Sequence, residues 1–392
     1  MVTICRKNGA EDREQESNGA LSIPLFVAAS CQDAVSVGAQ SPDSTSPIQL
    51  VPRTKAEREQ NYQSEHRISL IVQVTDSSGN PVSGLKPGDF LVLDNQKRQK
   101  VARFREVNGK TFTADVHVVV VLDAVNGGGS EIGRLKKDLD RYLSQGHGPL
   151  RFPISLVYVS DAGVVETPAS TDRSLIAAQL AQLARRQRDP ECEPGEGWQG
   201  KRLQSYPACV YMHFIESLNA LRKLVGAQQQ QHTRARTILI WPGRGWLIGE
   251  DFGSSVGYQG GNYRDVLVEL ITNLREAQVT LDAVSWDNFE TPRNLLAPIM
   301  TVTVSAPRTP DEVAEVAMAL PALARQSGGQ VLPKVKNFEN AMDACLSDAS
   351  DFYVLSFDSI PAATPDELHP IEMKVDRPGA NVRTAATYYA QP

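Results

Sequence analysis

The chain contains no run of eighteen apolar residues, so no segment of it reads as a membrane-spanning helix. Positive charge is not in excess: 40 Lys and Arg face 46 Asp and Glu, a net charge of −6, which argues against general nucleic-acid binding. Cysteine is scarce, five in 392 residues, and aromatic residues make up 6%. That scarcity excludes a disulfide-dense miniprotein. The six histidines show no ligand clustering and there is no CxxC pair, so no zinc site is expected. What remains is 41% hydrophobic and 22% charged, the composition of an ordinary globular chain long enough for two or three domains.

Residues 1–39 read as an export signal. The apolar stretch from Ala20 to Ser30 has the length of a signal h-region, and the small residues Val37 and Ala39 suit cleavage before Gln40. Ala28-Ala-Ser-Cys31 offers a lipoprotein-style alternative. Glu11, Asp12, Glu14 and Glu16 make the leading segment atypically acidic, as if the true translation start lay downstream of Met1. The expected location is therefore outside the cytoplasm: periplasm, cell surface or extracellular. Cleavage would leave Cys192, Cys209 and Cys345; a disulfide between Cys192 and Cys209 would close the polar stretch Glu193 to Pro207, with Cys345 buried as a small hydrophobe.

Residues 40–66, rich in Ser, Pro and Gln, read as a disordered linker. In 67–108, Ile68, Leu70, Val72 and Val74 alternate as a strand does, and Phe90-Leu-Val-Leu93 before Asp94-Asn-Gln96 predicts a second strand and a turn. So short a set of strands cannot bury a core alone. From residue 112 to 360 strands alternate with helical stretches, the signature of an α/β domain with a mainly parallel, doubly wound sheet and helices on both faces. Val116 to Leu122 is its expected central strand; Ile132 to Leu143, Leu175 to Leu183, Tyr211 to Val225, Asn262 to Ala277 and Asp311 to Gln326 are its expected helices. Phe352 to Phe357 is expected as its last strand. Residues 361–392 read as a β-hairpin turning at Arg377-Pro-Gly-Ala380, which would complete an immunoglobulin-like β-sandwich begun by 67–108.

Val74-Thr-Asp-Ser-Ser-Gly-Asn-Pro-Val82, Gly84-Leu-Lys-Pro-Gly-Asp-Phe90, Val118 to Asn126, Leu239-Ile-Trp-Pro-Gly-Arg-Gly-Trp246, Gly328-Gly329 and Phe352-Tyr-Val-Leu355 follow one another in an order that resembles the von Willebrand factor A-related family described from acidobacterial genomes. The resemblance runs from about 67 to 389. It implies an exported protein with a von Willebrand A-like domain whose ligand site lies at the carboxyl ends of the strands, and it implies no enzyme activity.

A domains of this kind hold Mg²⁺ through Asp-x-Ser-x-Ser after the first strand, with a Thr and an Asp from later loops. Here the strand ends Asp123-Ala-Val-Asn-Gly127: Asp123 is present, but Val125 and Gly127 bring no side-chain oxygen. Arg244 stands in the fourth-strand loop, where it would repel a cation. The usual metal site is therefore expected to be degenerate, with Asp123 and Asn126 its vestiges. Asp123 would instead cap the following turn, or pair with Arg244.

Gly128-Gly-Ser-Glu-Ile-Gly133-Arg134 lacks the Lys-Ser/Thr of a phosphate loop. Gly253-Ser-Ser255-Val-Gly257 fits the nucleophile spacing of a hydrolase, and Asp282 and His369 follow in a suitable order, but the motif sits in a polar, glycine-rich run with no strand entering it. His213 and Glu216 could share a helix face as an ordinary polar contact. Trp241, Trp246 and Trp286 fall at strand ends; Trp241 reads as core, whereas Trp246 is expected to be partly exposed. The preferred reading is a non-enzymatic, cofactor-free protein-binding or scaffold protein. Its partner face would comprise Asp123, Asn126, Arg244, Trp246 and Asp287. A metal-dependent adhesion module at Asp123 and a secreted serine hydrolase using Ser255 are the alternatives.

Overall fold

The computed structural model describes residues 66–108, 116–160, 162–184, 205–230, 236–243, 245–246, 263–287 and 319–392. The export signal, the linker up to residue 65, Cys31, Cys192, Arg244 and Ser255 lie outside them, as does the side chain of Cys209.

Six strands form the central sheet: β5 (Val116–Asp123), β6 (Ile154–Ser160), β7 (Gly163–Glu166), β8 (Arg236–Pro242), β9 (Val279–Val284) and β10 (Val331–Leu332). Their order is β10-β9-β8-β5-β6-β7, parallel throughout except for antiparallel β7 at one edge. Crossover helices are what allow parallel neighbours. Val119 and Val121 pack under α3 (Ser205–Gln230), α4 (Tyr263–Glu276) and α5 (Leu320–Ser327). Val118, Val120 and Leu122 point the other way, toward α1 (Ala124–Gln145), α2 (Arg173–Ala184) and α6 (Phe338–Ser347). The unbroken valine run of β5 has this cause: both of its faces are covered, so neither set of alternate positions needs to be polar.

α1 starts at Ala124, directly after the strand, and runs through Gly127-Gly-Gly129. This corrects the expected start near Ile132 and removes the loop that a phosphate site would need. Glycine costs helix stability, but the Asp123 side chain caps the first turn and Ala124, Val125, Ile132 and Leu135 bury one face of the helix.

The remaining strands form two four-stranded sheets. One has the order β13-β1-β11-β4, from β13 (Asn381–Arg383), β1 (Arg67–Thr75), β11 (Asp351–Asp358) and β4 (Arg103–Asn108). The other has the order β14-β12-β2-β3, from β14 (Thr387–Ala390), β12 (Glu367–Val375), β2 (Phe90–Asp94) and β3 (Lys97–Gln99). Ile68, Leu70, Val72, Phe90, Val92, Leu355 and Phe357 share the core between them.

Two expectations fail here. Phe352 to Phe357 does not close the α/β sheet: β11 pairs antiparallel with β1 and β4, because its alternating Tyr353, Leu355 and Phe357 match the inward face of β1. Nor do residues 361–392 form a plain hairpin. After the turn closed by Ala380 N–H to Arg377 O (3.2 Å), β13 pairs with β1 in one sheet, and only β14 returns to pair with β12 in the other.

A filled pocket at the carboxyl ends of the central strands

In the strand order of the central sheet, β5 and β8 are the neighbours at which the winding reverses. In doubly wound sheets this crevice is where ligands bind. Asp123 ends β5 there, Trp241 and Gly243 follow from β8, and α3 covers the opening with His213 and Ser217.

Asp123 is 4% exposed, and its carboxylate accepts five hydrogen bonds. Oδ1 takes Val125 N–H (3.2 Å) and Asn126 N–H (3.1 Å), the N-terminal donors of α1. Oδ2 takes the Ser217 hydroxyl (2.8 Å), Trp241 Nε1–H (3.3 Å) and the Asn126 amide (3.3 Å). Asn126 Nδ2 also reaches Ser217 Oγ (2.6 Å) and His213 O (3.1 Å). Burial pushes the Asp123 carboxyl above its ordinary range, while the bonds from Ser217, Asn126 and Trp241 oppose the shift. His213 is pushed down by its own burial, against the attraction of Asp123.

Over this cluster lies Trp246, 1% exposed, edge-on to Trp241 (centroids 5.5 Å, 85°) and to Phe214 (5.7 Å, 62°). This corrects the expectation of a partly exposed ring: two aromatic neighbours bury more of its apolar surface than a loop position beyond a strand end suggests. The space left among Asp123, Asn126, Glu131, Trp241 and Trp246 is ≈ 10 Å³, about enough for one water. Trp246 is one of its lining residues, and the Trp246 Nε1–H has no acceptor among the described residues.

The donor set does not fit a hard cation. Mg²⁺ needs oxygen lone pairs in near-octahedral array. Here the Ser217 hydroxyl gives its hydrogen to Asp123 and accepts that of Asn126, and the Asp123 oxygens face five hydrogens. No group of three or more His, Cys, Asp or Glu gathers as a metal cluster among the described residues.

Of the expected partner face, Asp287 is exposed, Asn126 half-buried, and Asp123 and Trp246 buried. Trp286 is buried as well, stacked on Phe338 (5.8 Å) and donating Nε1–H to Asp138 (3.1 Å). Ser217 went unrecognised in the sequence. Its only local signal is a position four residues after His213, one helical turn along the same face.

Of the hydrolase candidates, Ser255 lies outside the described residues, and His369 and Asp282 each have partners of their own. His369 lies in the sandwich, 1% exposed, with Nδ1 2.9 Å from Asp94 Oδ1 and 3.1 Å from the Tyr388 hydroxyl. Asp282, a residue of β9 in the central sheet, accepts Gln330 N–H (2.7 Å).

No family model matches the chain, and no curated protein matches it. Solved structures similar to it include an aerotolerance-related membrane protein from Bacteroides fragilis, 7% identical, with 59% of this chain and 96% of that chain covered at a TM-score of 0.29. A proximal thread matrix protein from the mussel byssus is 9% identical over 68% of this chain and 47% of its own, at a TM-score of 0.27. The N-terminal domains of a type V pilus tip protein from Porphyromonas gingivalis are 14% identical over 59% and 36%, at a TM-score of 0.18. Likenesses this distant carry no argument about activity. The fold and its pocket define a mixed α/β protein with a six-stranded, mainly parallel sheet and flanking helices. No helix among the described residues is long and apolar enough to cross a membrane.

Proposed function

We propose that this chain is an exported, non-enzymatic protein-binding or scaffold protein built on a von Willebrand A-like domain, which engages its partner without a bound metal. The doubly wound, mainly parallel sheet with helices on both faces supports the A-like reading. The observation that carries the metal-free reading is the Asp123 carboxylate: at the crevice where an A domain would hold Mg²⁺, five protein donors satisfy it. A cation would have to displace the Ser217 and Trp241 hydrogens inside a site already closed by Trp246. Recognition then falls to the exposed rim of this face, of which Asp287 is the described member. The non-enzymatic reading draws on His369 and Asp282 each being held by partners of its own.

Calorimetric titration of the full chain with Mg²⁺, Mn²⁺ and Ca²⁺ tests this reading, with Asp123→Asn as the control. The expected result is no saturable heat from either protein. Saturable binding by the wild type that Asp123→Asn abolishes would establish a rewired adhesion site instead.

A further inference from the structure

The outer face of one sandwich sheet carries a patch that the top-face reading does not use. Phe90 and Val92 of β2 point into the core between the sheets, so Leu91 and Leu93 stand on the opposite face. Both leucines are half-buried. Arg98 of β3 lies cross-strand from Leu93 on one side and Glu372 of β12 on the other, and Lys374 lies cross-strand from Leu91. Lys97 opens β3, and Lys100 follows Arg98 by two residues. Lys97, Arg98, Lys100, Glu372 and Lys374 are all exposed.

Charge on this face is one-sided. Lys97-Arg-Gln-Lys100 holds three cations and no acid, in a chain whose net charge is −6. None of the three forms an ion pair among the described residues, whereas Glu372 is already paired with Lys374 (2.7 Å). The leucine pair is equally out of place, since the solvent side of an antiparallel sheet is ordinarily polar. Elsewhere on the same face the helical layer covers apolar groups: Leu368 and Tyr389, cross-strand neighbours in β12 and β14, join the core under α3 and α4. Leu91 and Leu93 lie outside all three hydrophobic cores.

We infer that this face docks on an anionic lipid surface. Two features choose that occupant together. The unpaired cations call for an anionic partner, and the leucines between them call for an apolar one. A bilayer surface supplies both at once: the leucines enter the boundary between headgroups and acyl chains, while Lys97, Arg98 and Lys100 meet the headgroup phosphates. Long cationic side chains suit that place, because their stems are apolar and their charges stay at the headgroup level. A soluble phosphate polymer would leave the leucines in water, and β3, three residues long, is too short an edge to hold an acidic polypeptide as an added strand. Attachment of this kind needs no spanning segment. The inference goes beyond the protein-binding reading and does not depend on it. Asp123, Ser217 and Asp287 have no part in this face, so metal titration and lipid binding succeed or fail separately.

The test is co-sedimentation of the full chain with sucrose-loaded vesicles of equimolar phosphatidylglycerol and phosphatidylcholine, and with vesicles of phosphatidylcholine alone. Saturable binding to the mixed vesicles is expected, at least tenfold tighter than to phosphatidylcholine. The charge variants Arg98→Glu/Lys100→Glu and Lys97→Glu/Lys100→Glu should each weaken it at least tenfold, and Leu91→Gln and Leu93→Gln several-fold, with melting curves checked to be unchanged. No sedimentation with the mixed vesicles overturns the inference. So does lipid binding that the leucine changes leave intact, or equally tight binding of inorganic polyphosphate, since either makes the face a general anion surface. Tighter binding of soluble polyglutamate than of vesicles, lost in the charge variants, would overturn it in favour of an acidic polypeptide.

Discussion

At the scale of single residues, the same side-chain type is driven to different ends by what surrounds it. Asp123 and Asp282 are both buried carboxyls, yet Asp123 collects five donors whereas Asp282 has the backbone N–H of Gln330 and the thiol of Cys345. Burial, reinforced by the charge of Asp348, pushes Asp282 up to about 6, with Arg383 and Arg236 opposing. A carboxyl with a raised folded-state pKa binds its proton more tightly when folded, so its contribution is fully present below the ordinary value of 3.8 and is lost as pH rises through about 6. Asp282→Asn keeps the acceptor for Gln330 and cannot ionise. Its stability relative to wild type should therefore climb as pH rises across that window, read from urea midpoints at a series of pH values. Parallel midpoints for the two proteins would show that Asp282 does not titrate there. Buried Cys345 follows the same physics: desolvation holds its thiol well above its usual range, so it stays protonated in the core.

Elements owe their limits to a few residues with backbone jobs. α5 ends because Gly328 adopts a left-handed conformation (φ 81°), with Gly329 N–H returning to Ala324 O at 2.8 Å. A side chain at 328 would strain that conformation and would also meet the backbone of Ala385 and Thr384, 2.8 and 2.9 Å from the new Cβ. Gly328→Ala is expected to destabilise the protein by about 2 kcal/mol, lowering the thermal midpoint by several degrees, more than the strain of a left-handed alanine alone. A change within error would mean that the β13–β14 connection yields to the methyl group. A local signal of this kind was legible: the helix expected up to Gln326 ends at the Gly328-Gly329 pair that stops α5. The start of α1 was not, because three consecutive glycines argue locally for a loop, and the helix persists through its cap and a buried face contributed by distant strands.

Across the whole molecule, the sandwich and the α/β layers share cores. Val107 and Phe352 join the cluster under α1 and α6, and Leu368 and Tyr389 join the one under α3 and α4. A polar junction runs beside them. Arg236, 2% exposed at the start of β8, donates to Asp348 O (2.6 Å), lies 4.6 Å over the Phe352 ring, and has its pKa lowered to about 10 by burial. Gln73 of β1 donates to the same carbonyl at 2.6 Å, while Arg383 of β13 pairs with the Asp348 carboxylate and donates to Gly328 O at 2.7 Å. Shared apolar cores with buried charges across the seam make separate unfolding costly. Denaturation should give one transition, coincident in far-UV circular dichroism and in tryptophan fluorescence, for which Trp241, Trp246 and Trp286 report from the α/β layers. Two resolved transitions would show that the sandwich melts on its own.

The sequence by itself determined the alternation of strands and helices, the covering of β5 on both faces, the short strands at both ends of the chain, and the missing hydroxyls at positions 125 and 127. Each of these is written within a span of about ten residues, the range over which periodicity and turn chemistry act. Tertiary structure decided which sheet β11 joins, the burial of Trp246, the pairing of His369 with Asp94 and the meeting of Ser217 with Asp123. Those partners stand 94 residues apart for Ser217 and Asp123 and 275 for His369 and Asp94. No local pattern encodes such contacts, because they exist only once the strands have chosen their neighbours and the helices have closed over the sheet.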